Sequence, residues 1–168
     1  MTTTLTQISS LRPGTAVSGS RPEALAPAAP DSLSQAVQQA VRWVDDARLR
    51  RVAPKDAGPA FDPRTLLGIM TYSYAREIYS SADIEDMLRR DQPFRQLCQN
   101  EFPGARIFRQ FRRENREVLQ GCLFEVLRWV MSAPGPDGPN PITEEDIALA
   151  TSRRMSAAMF IDSMEEME

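Results

Sequence analysis

Residues 61–78, FDPRTLLGIMTYSYAREI, are apolar nearly all the way round a helical wheel. Leu66, Leu67, Ile69, Met70, Tyr72, Tyr74 and Ile78 leave little polar face for water. Such a helix belongs in the middle of a bundle, with other helices around it. Its start is marked by Asp62, which suits the cap, and Pro63, whose missing N–H is no loss in a first turn. No stretch of five or more residues in the chain alternates apolar with polar, so no strand pattern competes. The expectation is an all-α fold: a compact bundle of five to six helices over residues 31–132.

The flanking periods supply that surround. A helix is expected from Asp31, capped by Asp31 or Ser32, with Leu33, Val37, Ala40, Val41 and Val44 as its stripe. Its period fades around residues 48–52, and Pro54, Gly58 and Pro59 make a loop. Ser80-Ser81 breaks and recaps the chain. Ser80 and Asp83 have cap spacing, whereas Ser81 and Glu85 are one residue off a capping box. Ile84, Met87 and Leu88 then give a short amphipathic helix, and Pro93 opens another with Phe94, Leu97 and Cys98 inward. Pro103-Gly104 turns the chain, and a helical pattern runs from residue 105 or 106 to about Met131. It reads as one helix, or as two with a bend near residues 114–116. Two short helices and a third after a tight turn form a segment like a helix-turn-helix.

Outside the bundle, residues 1–30 are rich in Thr, Ser, Ala and Pro and have no apolar period, which fits a disordered lead. Residues 133–142 form a linker, with four Pro and two Gly in APGPDGPNP. Residues 143–168 form a last helix, with Thr143 as cap and Glu144, Glu145 and Asp146 in the first turn. It is acidic and carries Met155, Met159, Met164 and Met167. Three readings of it stand open: an oligomer or partner contact, a poorly ordered end, or an acidic cover folded back over the basic helix described next.

Composition excludes several chemistries. The chain has no His, so histidine triads, His-ligated metals and His proton shuttles are ruled out. Its two cysteines, Cys98 and Cys122, form no CxxC pair and fall on apolar stripes as reduced, inert thiols. The eight glycines make neither a dinucleotide loop nor a phosphate loop. No cofactor and no metal site is expected, and no enzyme activity. No apolar run approaches a membrane span, no secretory signal is visible, and the expected compartment is the cytoplasm. The positive feature is charge segregation. The window 89–116 holds eight Arg against three acids, while residues 133–168 hold two Arg against eight acids. Arg109, Arg112, Arg113 and Arg116 follow i, i+3, i+4, i+7 spacing, apart from Phe108 and Phe111, so one helix anchors by Phe and shows Arg outward. Arg106 precedes them, and Arg89, Arg90 and Arg95 come from the two short helices. Guanidinium forks at that spacing suit phosphate oxygens. A solvated face with local Arg–Glu pairs is the competing reading.

The stretch from Phe61 to Trp129 resembles the N-terminal domain of bacterial insertion-sequence transposases of the DDE class. The matching positions are Asp62, Pro63, Leu66, Leu67, Tyr72, Tyr74, Ser80, Ser81, Ile84, Glu85, Leu88, Phe94, Arg95, Leu97, Phe111 and Arg112, and VRWVDDARL (41–49) resembles the family's lead-in helix. The likeness covers about residues 36–131. Ala82 stands where the family carries Arg, and the approach to the Arg helix reads Pro103-Gly104-Ala105-Arg106 instead of the family's acid or His with a hydroxyl. The resemblance implies binding to the terminal DNA of a mobile element. It assigns cutting and joining to a separate RNase H-like domain, for which the 37 residues after Met131 leave no room. The expectation is a non-catalytic module that binds duplex DNA through Arg89, Arg90, Arg95, Arg106, Arg109, Arg112, Arg113 and Arg116. The alternative is a helical interaction or oligomerisation domain, with a second copy or another protein as partner through the C-terminal helix.

Overall fold

The computed structural model describes residues 30–54, 58–99, 101–134 and 141–167. The expected lead (except Pro30) and the centre of the expected linker lie outside these residues. Seven α-helices follow in order: α1 (Pro30–Arg42), α2 (Pro63–Ala75), α3 (Ser81–Arg90), α4 (Gln92–Cys98), α5 (Ala105–Glu114), α6 (Arg116–Met131) and α7 (Glu144–Glu165). A single 3-10 turn sits at Asp46–Arg48, and there is no strand among the described residues. The fold class is all-α, as the periodicity requires.

The central helix is α2. Asp62 accepts from the backbone N–H of Arg64 at 3.4 Å and of Thr65 at 3.1 Å, so the cap forms where it was expected. Every residue from Thr65 to Tyr74 is buried. Each large apolar side chain enclosed this way contributes roughly 1.5–3 kcal/mol. The helix ends before Ile78. Glu77 adopts a left-handed conformation (φ 63°), its N–H donates to the Tyr74 carbonyl, and the Ile78 N–H donates to the Ser73 carbonyl. That pair of bonds is a Schellman ending made without glycine.

Around it, Leu33, Val37 and Val41 of α1 point inward, as their spacing predicts. This helix stops earlier than the sequence pattern does. Arg64 donates to the carbonyls of Val41 at 2.7 Å and Val44 at 2.8 Å, satisfying the C-terminal end from another helix. Asp45 then caps the 3-10 turn through the Ala47 N–H at 3.0 Å. Ser80 caps α3 by accepting from the Asp83 N–H at 3.2 Å. Thr143 and Asp146 form a complete capping box at the start of α7.

The long C-terminal pattern resolves into two helices that bend at Asn115. This side chain is buried and does not cap α6. It accepts from the Arg50 N–H at 2.7 Å and donates to the Arg50 carbonyl at 3.0 Å, clamping the extended segment after the 3-10 turn. The core closes with Phe94 edge-on to Tyr72, their centroids 5.1 Å apart, and with Phe108, Phe111, Leu119 and Leu123. Both cysteines are buried, and burial pushes the Cys122 thiol up to about 11.

Gln99, at the end of α4, also sits in the left-handed region (φ 48°). Glycine relieves the clash of Cβ with the backbone there and gives back part of the gain as unfolded-state entropy. Gln99→Gly is expected to raise stability by about 0.5–1 kcal/mol, read as a higher urea midpoint, whereas Gln99→Ala gives no gain.

Candidate nucleic-acid interface

The arginine helix α5 opens at Ala105, whose N–H donates to Glu85 at 2.8 Å, because Gly104 has no side chain to cap it. Ile107, Phe108 and Phe111 enter the core. The spacing of Arg109, Arg112, Arg113 and Arg116 predicts one solvent-facing row; the structure divides it.

Arg112 faces inward and is 4% exposed. One terminal nitrogen pairs with the Asp162 carboxylate of α7 and donates to the Ala158 carbonyl at 3.1 Å. The other lies 3.2 Å from the Ser81 hydroxyl, and Nε donates to the Tyr74 hydroxyl. Asp162 also accepts from the Ser81 N–H at 3.2 Å and from its hydroxyl at 2.9 Å. The reason for the inward turn is angular. At about 100° per residue Arg112 lies only about 40° from Phe108, on the flank of the buried stripe.

Arg109 is half-covered. It donates to Glu165 at 2.9 Å, and its Nε lies 3.8 Å from Asp162. Glu165 also accepts from the Ser80 hydroxyl. Arg113 stays exposed and meets Glu166 at 3.3 Å. Of the three readings of the C-terminal segment, the structure has the one in which it folds back: α7 packs on α6 and sets its last acids against the arginines of α5. Burial pushes the Tyr74 phenol up to about 12 against the pull of Arg112, so it faces Arg112 as a neutral group. Burial also raises Glu165, but Ser80, Arg109 and Arg112 outweigh this and hold its carboxyl below the usual range.

The remaining arginines lie elsewhere. Arg89 pairs with Glu85 at 3.0 Å and Arg90 with Asp86 at 3.1 Å, both along the exposed side of α3. Arg95 donates to the Arg89 carbonyl at 3.1 Å. Arg106 and Arg116 are exposed and make no ion pair among the described residues. The eight expected residues therefore do not form one open row. On α5 residues 106, 113 and 114 are exposed, and Ala105, Arg109 and Gln110 are half-buried.

The sequence pattern missed Asp162, which gives no local signal 50 residues from Arg112. Tyr74 and Ser81 carried a signal: both are among the positions of the resemblance, and here they meet Arg112. Among the described residues no group of His, Cys, Asp or Glu could hold a metal ion, and no helix is long and apolar enough to cross a membrane.

Breaking one side of a buried ion pair leaves the other charge without a partner. Arg112→Ala and Asp162→Ala are each expected to cost about 3–5 kcal/mol in urea unfolding, and Arg112→Met with Asp162→Leu to recover much of that loss. A pH effect follows from Glu165. Its folded value lies below its unfolded one, so its contribution is complete above the ordinary glutamate range and is lost as pH falls through the depressed value. Glu165→Gln is expected to flatten the acid limb of the stability–pH curve.

A family model described as a transposase domain (DUF772) matches residues 23–114, from before α1 to the last residue of α5. No curated protein and no solved structure matches the chain. The match spans more than half of the sequence and includes Tyr74, Ser81 and Arg112 of the buried cluster, and the chain belongs to the transposase domain (DUF772) family.

Proposed function

We propose that the chain is a non-catalytic module of transposition that binds duplex DNA at element ends. The observation that carries this is the family match over residues 23–114, the stretch that bears most of the exposed arginines among the described residues. Phosphate contacts come from Arg106 and Arg116, with Arg89, Arg90, Arg95 and Arg113 exchanging weak surface partners for phosphate. Exposed pairs of this kind are worth little in water, so the exchange costs little. Arg109 and Arg112 hold α7 and position α5 instead of meeting phosphate.

A second reading has one observation in its favour. Leu149, Phe160 and Met164 of α7 are exposed and lie within an arc of about 60° on its outer side. A second copy or a partner protein would cover that strip. Phe160→Asp with Met164→Asp, examined by light scattering, lowers the apparent mass if copies associate there and leaves it unchanged if they do not.

Binding of a labelled duplex across a salt series tests the main reading. Arg113→Ala with Arg116→Ala is expected to weaken binding and to reduce the slope of log affinity against log salt by roughly two units. An Arg106, Arg113 and Arg116 triple alanine variant that matches the parent at every salt concentration would overturn it.

A further inference from the structure

The chain has two tryptophans, and both line one groove between α1 and α6. Trp43 is 84% exposed and Trp129 is 43% exposed. Ala36, Ala40 and Val126 also line the groove, which has a volume of about 960 Å³. Nothing in the bundle's packing calls for an indole as open as that of Trp43. The charges beside it are equally unabsorbed. Arg48, Arg50 and Arg51, a few residues after Trp43 in the chain, are exposed and make no ion pair among the described residues. Nearby acids are engaged in part: Asp46 pairs with Arg64 at 2.6 Å, Asp45 caps the 3-10 turn, and Glu125 in the groove pairs with Arg128. The segment bearing these arginines is fixed, since Leu49 and Val52 are buried and Asn115 clamps the backbone of Arg50.

We infer that the Trp43–Trp129 groove and the Arg48–Arg51 segment that follows it in the chain form a binding surface for unpaired nucleotides. Bases stack on the indole rings, and the guanidinium groups meet the phosphates that follow. Stacking platforms beside a cationic track are the general means of holding single strands without reading sequence. A duplex has no base face to offer, because its bases already stack on one another. This goes beyond the duplex reading above and uses none of its residues.

The two tryptophans make the test direct, because emission excited selectively at tryptophan reports on this groove alone. The full chain is titrated with a short oligo-dT strand and, separately, with a hairpin duplex. The single strand is expected to quench emission saturably. In anisotropy with labelled oligo-dT, Trp43→Ala is expected to lower affinity at least about fivefold, the weight of one stacked base, while Trp43→Phe retains most of it. Arg50→Ala with Arg51→Ala reduces the salt slope by roughly 1.4 units. These side chains are exposed, so circular dichroism should show the helices intact.

Absence of quenching by oligo-dT, or undiminished strand binding by Trp43→Ala, overturns the inference. Emission that shifts with protein concentration alone, and that oligo-dT does not reverse, assigns the groove to a contact between copies and overturns it equally. The Arg113 and Arg116 variants separate the two proposals: they lose duplex affinity and keep strand binding if both hold.

Discussion

The buried pair between Arg112 and Asp162 is the interaction on which the rest of the molecule depends. A guanidinium in the interior is costly unless each of its donors is met. Here Asp162, the Ala158 carbonyl, Ser81 and Tyr74 meet them, and these groups come from α7, α3 and α2. One side chain on α5 therefore fixes four helices at a single point. Asp162 is satisfied in turn by the hydroxyl and N–H of Ser81, so neither charge is stranded. The planar fork of arginine suits this role, and a lysine could not reach the same set of partners.

The pair also changes what α5 exposes. A helix that looks like a phosphate-binding row spends two of its arginines on internal packing, and α7 brings Asp162, Glu165 and Glu166 to the same side. Among the described residues, exposed arginines without an ion pair remain at Arg106 and Arg116, at Arg42, Arg48, Arg50 and Arg51, and at Arg153 of α7. The family match ends with α5, so the helix that neutralises the row lies beyond the matched residues. The match therefore covers the arginines of α5 but not the acids that neutralise them.

What the sequence made legible was local. The Asp62-Pro63 start, the Ser80–Asp83 cap and the Thr143 cap rest on residues at most three apart, and each forms as its spacing predicts, with Asp146 completing a capping box not predicted from the sequence. The burial of α2 was equally plain, since a helix without a polar face has one place to go. The orientation of Arg112 was not. Its spacing from Arg109 and Arg116 placed it outside, while its angle to Phe108 placed it at the edge of the core. Only the arrival of Asp162 decides between them. The early end of α1 has the same origin, because Arg64 takes its last carbonyls from a different helix.

If Arg112 binds α7 into the bundle, then α7 is part of the cooperative unit and not a removable cover. Native-state hydrogen exchange of the unmodified chain tests this most directly. Amides from Thr151 to Asp162 should exchange with the same opening free energy and the same denaturant dependence as those of α2, the signature of one global transition. Exchange of that segment through a much smaller, denaturant-independent opening, with α2 still protected, would contradict the account.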